Sequence, residues 1–368
     1  MPGRPVAGST PFGQRAEPVA EPHARPDRAE PHVRPDRAEP YVRPDRAGRP
    51  DPLGRADPTA RPDPSSRVDP AGRRPSDRGA APDLAPEPAG SRSLNLGFGR
   101  TNARERELVR SVSTPLTGVK RVVVLSIKGG VGKTTTVAVI GSLLAGLRRD
   151  MVVAVDASSD WGTLAARLSV VPKQTVRELA DRGRQAVSEH GIRAQLAQSP
   201  SGLYVVGSDP QSMVYQALTE EEYLRATHFL GYVANLVIVD VGAGLQQPFL
   251  AAALGTCDQL IVATAATWDA VQSAGAALDW LAARGLASLV EHSLVIMNNI
   301  TPSRRRRRNF VVDLRSDLQR RARAVHEVPF DLALQPGGRI LLRKLAPRTR
   351  SSYLALAAAV VRGVGTPR

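Results

Sequence analysis

Lys128-Gly129-Gly130-Val131-Gly132-Lys133-Thr134-Thr135 follows directly on the apolar run Val122-Val123-Val124-Leu125-Ser126-Ile127. A β-branched run that stops at glycines and continues into a helix-forming stretch is the sequence pattern of a loop that wraps a phosphate chain. Glycine lets the backbone come close enough for successive N–H groups to point at phosphate oxygens. The predicted helix, from about Thr134 to Leu147, turns its positive N-terminal end toward the same charge. In this pattern Lys133 reaches the β- and γ-phosphates, the Thr134 hydroxyl binds Mg²⁺, and Gly129 through Thr135 form the cradle. The sequence therefore points to a nucleotide-binding protein.

The lysines sharpen the reading. Lys and Arg together number 50, of which only five are Lys, and two of those five flank these glycines. A compact ammonium fits a tight phosphate loop that a planar guanidinium overfills.

The 368 residues divide by composition. Residues 1–100 hold 20 of the 30 prolines and repeat a nine-residue unit, seen at Arg25 to Pro31, Arg34 to Pro40 and Arg43 to Ala47. Frequent proline forbids helix, and alternating Arg and Asp leave nothing to bury, so a disordered, partly polyproline-like tail is expected. It reads as a spacer or as a docking segment for a protein partner, with composition favouring the spacer slightly. The tail has 17 basic and 14 acidic residues, leaving +12 of the +15 net charge on residues 101–368. Such an excess is read either as a surface for nucleic acid or anionic lipid, or as the solvated face of an Arg-rich chain.

The single cysteine, Cys257, excludes a disulfide framework, a Cys₄ zinc site and a single-chain iron–sulfur cluster, and is expected to be a small buried hydrophobe. No stretch approaches the roughly 20 apolar residues of a membrane span, and the N-terminus lacks a signal-peptide core, so a cytoplasmic protein is expected.

After a linker at 101–118, with a short charged helix over 102–113, strand and helix alternate from 119 to 364. Strands are expected at 120–127, 151–156, 203–207, 235–240, 259–264, 293–298 and 325–329. Helices are expected at 134–148, 160–169, 174–198 (broken), 219–232, 248–255, 269–284, 308–323, 337–345 and 350–363. Strands such as Leu236-Val237-Ile238-Val239 are apolar throughout, as required when both faces are covered. The predicted fold class is α/β: a mainly parallel sheet with helices on both faces and its ligand at the carboxyl ends of the strands.

Three further strand ends carry polar residues. Asp156 closes Val152 to Val155, Asp240 closes Leu236 to Val239 and precedes Gly242 and Gly244, and Asn298 closes Leu294 to Met297. A carboxylate in such a place can hold Mg²⁺, the glycines permit a loop to move with the γ-phosphate, and an Asn can read a base edge.

Together these motifs resemble the MinD/ParA family of P-loop ATPases, whose deviant Walker A motif carries the extra first lysine. The resemblance spans about Val119 to Arg362. It implies an ATP-sandwich homodimer in which Lys128 reaches the partner's nucleotide, with Lys133, Asp156 and Asp160 also catalytic. It further implies Mg²⁺ at Thr134, Asp156 and Asp240, and a base contact at Asn298 and in the segment around Pro329. The Pro-rich tail, Thr175 to Leu179, Leu278 to Leu281, Gly337 to Ile340 and Pro347 to Arg350 are similar to the EspI-type, MinD-like ATPases associated with type VII secretion. That likeness implies a secretion-machinery partner, met by the tail or the dimer surface.

Many family members carry a second acid two residues after the first switch aspartate; here that residue is Ser158. Asp160 is the candidate substitute, and slow or partner-stimulated hydrolysis is expected. Arg304 to Arg308 is a candidate contact for nonspecific DNA, against the alternative of a solvated loop. The segment 350–363 is expected to pack on the sheet rather than on a membrane. Trp161, Trp268 and Trp280 are expected to pack, with Trp161 nearest the ligand.

Overall fold

The computed structural model describes residues 102–158, 162–182, 188–208, 217–301 and 305–365. The expected tail, Asp160, Trp161 and Arg304 lie outside the described residues.

The first element is the expected charged helix α1 (Ala103–Val112), opened by a capping box in which Asn102 and Glu105 exchange hydrogen bonds. β1 (Lys120–Ser126) then leads into α2 (Lys133–Leu147), and β2 (Val152–Ala157) into α3 (Leu164–Leu168). The predicted broken helix over 174–198 resolves into α4 (Val176–Arg182), α5 (Glu189–Ala194) and the two-residue strand β3 (Ala197–Gln198). β4 (Tyr204–Val206), α6 (Glu220–Leu230), β5 (Leu236–Ala243), α7 (Leu250–Gly255) and β6 (Gln259–Ala265) follow. A Thr219–Glu222 capping box starts α6, within the helix expected at 219–232.

The helix predicted at 269–284 is α8 (Trp268–Leu281), continued by a π turn at Ala282–Leu286 into α9 (Ala287–Glu291). Gly285, at φ 83°, breaks it there. β7 (Leu294–Ile300), α10 (Arg305–Gln319), β8 (Ala324–Pro329) and α11 (Pro347–Gly365) complete the order. The helix predicted at 337–345 is instead an open segment with one 3₁₀ turn at Leu342–Lys344. Pro336, Gly337 and Gly338 oppose helix there, and Gly337 sits at φ 69°.

The sheet has eight strands in the order β3-β4-β2-β5-β1-β6-β7-β8, parallel except for the β3–β4 pair. Alternate residues of each strand feed two cores. Val122, Val124 and Ile238 pack with α2 and α11 on one face; Val123, Leu125 and Val239 pack with α6, α7 and α8 on the other. Helix α2 is buried almost all round, which explains why Val137 to Leu144 is apolar but for Ser142. Tyr353, Leu354, Leu356, Val360 and Val361 of α11 are buried, as expected for packing on the sheet. Cys257 is buried as well. Trp268 and Trp280 correct the sequence reading: they are 62% and 37% exposed, and Trp280 carries the Arg284 guanidinium over its ring at 3.7 Å. No described helix is long and apolar enough to cross a membrane.

Because the strands run parallel, the carboxyl ends of β1, β2, β5 and β7 meet along one edge. That edge carries the glycine loop, Asp156, Asp240 and Asn298.

Candidate functional site

The chain leaves β1 through Ser126, whose hydroxyl donates to the Lys128 carbonyl at 3.0 Å and pins the start of the loop. Gly132 then caps α2 at φ 91°, a left-handed conformation that favours glycine. A Cβ there would stand 2.8 Å from Asn298 Nδ2, so position 132 excludes a side chain on steric grounds too. Cβ atoms at Gly129 and Gly130 would meet nothing within 4 Å, and this face of the loop is open to a ligand. The Thr136 hydroxyl donates back to the Gly132 carbonyl at 2.8 Å and fixes the first turn of α2.

Below the loop lies an acid pair. Asp156 and Asp240 are register partners on the neighbouring strands β2 and β5, 1% and 0% exposed. Lys133 Nζ donates to Asp240 Oδ1 at 2.6 Å, while Asp240 Oδ2 is buried without a hydrogen-bond partner. Asp156 accepts the backbone N–H groups of Ser158 and Leu164, each at 3.2 Å. Burial first, and then the nearby Asp240 charge, push the Asp156 carboxyl up to about 6. Gly162 closes over it: a Cβ there would lie 2.2 Å from Asp156 Oδ2 and 2.1 Å from Ser208 Oγ.

Lys133 and Gly162, which cover the acid pair, border a cleft of about 490 Å³ lined also by Gly129, Gly130, Thr134, Thr135 and Gly242 on its phosphate side. Asn298, Asn299, Val328, Pro329, Phe330 and Tyr353 form the other wall. Asn298 is 3% exposed; its Nδ2 donates to the Val131 carbonyl at 2.9 Å, and Tyr353 donates to its Oδ1 at 3.4 Å. Its amide thus ties β7 to the loop. Asn299, the second residue of the Asn-Asn doublet near the end of β7, is exposed at φ 63° on the same wall; the sequence reading assigned a role to Asn298 alone. Arg167 of α3 was also missed; nothing in its local sequence distinguishes it from the other arginines. A larger hollow of about 610 Å³, lined by Arg149, Arg193, Arg339 and Arg343, has neither a glycine loop nor an acid pair.

Lys128 stands outside the cradle, where its ammonium pairs with Asp269 on the first turn of α8. That lysine holds the exposed Asp269 carboxyl down at about 2. Ser158 lies on the cleft wall as the sequence places it, with no carboxylate of its own. Residues 305–308 of the arginine run form the first turn of α10.

The residues present fit a magnesium–nucleotide complex. The glycine face is open onto the cleft, and Asp240, paired with Lys133 through Oδ1, keeps Oδ2 as an orphaned buried acceptor. Among the described residues no three His, Cys, Asp or Glu side chains cluster, so phosphate oxygens would have to complete such a metal's shell.

A parallel sheet bearing this loop over a buried lysine–aspartate pair defines the class of P-loop nucleotide-binding proteins. Residues 122–335 match the CobQ/CobB/MinD/ParA nucleotide binding domain, and the chain belongs to that family. It is 32% identical over 276 residues to the ESX-1 secretion-associated protein EspI of Mycobacterium tuberculosis, an alignment covering 73% of this chain. The same alignment covers 40% of that relative's length. Among solved structures it is similar to a ParA family ATPase from Chlorobium tepidum (18% identity, TM-score 0.51, 66% of this chain and 98% of that one). It is also similar to the MinC:MinD cell division protein complex of Aquifex aeolicus (21% identity, TM-score 0.50, 68% and 98%). These likenesses establish a shared fold.

Proposed function

We propose that this chain is an ATP-dependent, dimerising switch ATPase of the cytoplasm that regulates or positions a partner machine, in the first place type VII secretion. The observation that carries the reading is the division of labour between two lysines. Lys133 is buried in the cradle on Asp240, whereas Lys128 sits at the surface, 41% exposed, on a pair it can leave. An ammonium needed only by its own subunit's nucleotide has no reason to stand outside the cradle.

When ATP enters, Lys133 exchanges Asp240 for the β- and γ-phosphates, and the loop N–H groups take the remaining oxygens. Thr134, with Asp156 and Asp240, would hold a Mg²⁺ ion, which when bound would supply neutralising charge to the phosphates. Catalysis by Lys128 and Lys133 is then electrostatic positioning rather than covalent chemistry. The similarity to EspI supports a secretion-machinery partner. The direct test is light scattering of the chain with Mg-ATP, with ADP and without nucleotide: dimers with ATP alone are expected, and Lys128→Ala should remain monomeric while still binding ATP. ATP-independent dimers, or an unaffected Lys128→Ala, would remove the reading.

Ser158 favours a second reading, a nucleotide-gated scaffold with little turnover. If instead Asp160 orients the attacking water, Asp160→Ala abolishes hydrolysis and retains ATP affinity. The arginine run at the start of α10 favours a third, a ParA-like partition ATPase that binds DNA. Five cations there oppose the helix dipole and gain from phosphates. ATP- and salt-dependent binding of nonspecific DNA, lost when Arg304 to Arg308 are neutralised, is its test.

A further inference from the structure

Arg167 forms no ion pair among the described residues. It stands on α3, just beyond Gly162, and its guanidinium enters the nucleotide cleft. NH1 donates to the Thr135 hydroxyl at 3.1 Å, and Nε approaches the Thr163 hydroxyl at 3.4 Å. NH2 lies against Gly337, 3.6 Å from where a Cβ there would be. Among the described residues no carboxylate lies within ion-pair distance of it. Burial lowers its pKa from the ordinary value, with the Asp240 charge acting the other way from a distance. A half-buried guanidinium held by hydroxyls at a cleft wall is placed to take its counter-ion from an anionic ligand.

The position selects which anion. Lys133 faces Asp240 and β5, the side where Thr134 and the acid pair serve the terminal phosphates. Arg167 touches Thr135, the last cradle residue, beside Gln335 and Gly337 on the way to the Pro329–Phe330 wall. That is the end of the phosphate chain nearest the nucleoside. We propose that Arg167 binds the α-phosphate of the nucleotide in cis, completing the cradle from α3. The Arg167 carbonyl also accepts the Ile340 N–H at 2.8 Å, so the same residue joins the phosphate site to the open segment between β8 and α11.

The inference rests on nucleotide binding as proposed above, and calorimetry with Mg-ATP and Mg-ADP on the full chain separates the two. A wild-type chain that binds neither nucleotide sinks both. Given wild-type binding, Arg167→Gln is expected to weaken ATP and ADP by the same factor, roughly 10- to 100-fold for a lost charge-assisted hydrogen bond. Arg167→Lys, keeping charge without the fork, should recover part of it. Without nucleotide, Arg167→Gln should melt no lower than wild type, since it removes an unpaired cation. Unchanged affinities, or a loss confined to ATP, overturn the assignment, the latter because it places the guanidinium on the γ-phosphate. A large fall in unliganded melting temperature also overturns it, by making Arg167 a strut of the fold.

Discussion

Lys128 is held within its own chain by Asp269, so the lysine that precedes the glycines is restrained by the first turn of α8. Both side chains are substantially exposed, and such a pair is cheap to break. Asp269→Asn should therefore free the ammonium and raise the dimer fraction at subsaturating ATP, as read by analytical ultracentrifugation. A dimer fraction equal to or below that of wild type would show that the pair does not restrain Lys128.

Removing Lys133 leaves Asp240 charged, buried and alone. Lys133→Ala should cost roughly 3–5 kcal/mol of stability, the usual penalty for breaking a buried pair, and abolish the melting-temperature gain on adding ATP. The double variant Lys133→Ala/Asp240→Asn should recover much of the stability without recovering ATP binding. Chemical denaturation with and without nucleotide separates the two effects.

Gly162→Ala inserts a methyl group where Asp156 Oδ2 and Ser208 Oγ already lie. Overpacking of this kind costs about 1–3 kcal/mol and would push the Asp156 carboxylate off its two N–H donors. Nucleotide affinity measured with Mg²⁺ should fall more than affinity measured in EDTA.

His326 on β8 makes folding sensitive to pH below neutrality, in the sense opposite to Asp156, whose raised pKa favours the folded state as pH falls. Burial first, then Arg362 and Arg323, pull the His326 pKa from 6.5 down to about 4. Between those values the unfolded chain takes up a proton that the folded one refuses. Its contribution is fully present above pH 6.5 and is lost as pH falls through about 4, amounting to up to about 3 kcal/mol. Melting curves across this range should fall less steeply for His326→Leu than for wild type.

The candidate site was legible where its chemistry is local. Lys128 through Thr135, Asp156, Asp240 and Ser158 announce themselves because a phosphate loop and the strand ends around it need particular residue types at fixed offsets. Elements whose formation depends on a distant partner were not legible. Ala197 and Gln198 favour helix by propensity, yet they become strand β3 because Val205 and Tyr204 offer an antiparallel ladder. Helix α11 starts at Pro347, three residues before its predicted start, since proline's fixed φ suits a first helical turn. The segment 337–345 stays open across the cleft, fastened by Ile340 to Arg167.

The sequence by itself determined that a strand, a glycine loop and a helix follow one another in the pattern of a phosphate cradle, and that parallel strands bring the aspartates to the same edge. Those features follow from hydrophobic period and from residues adjacent in the chain. Tertiary structure alone decided the partners: Lys133 with Asp240, 107 residues apart, Lys128 with Asp269 across 141, and the Asn298 amide with the Val131 carbonyl across 167. It also decided that Arg167, one arginine among many in the sequence, faces the nucleotide cleft. Charge pairing acts through space, and only the packed sheet sets which charges stand within reach.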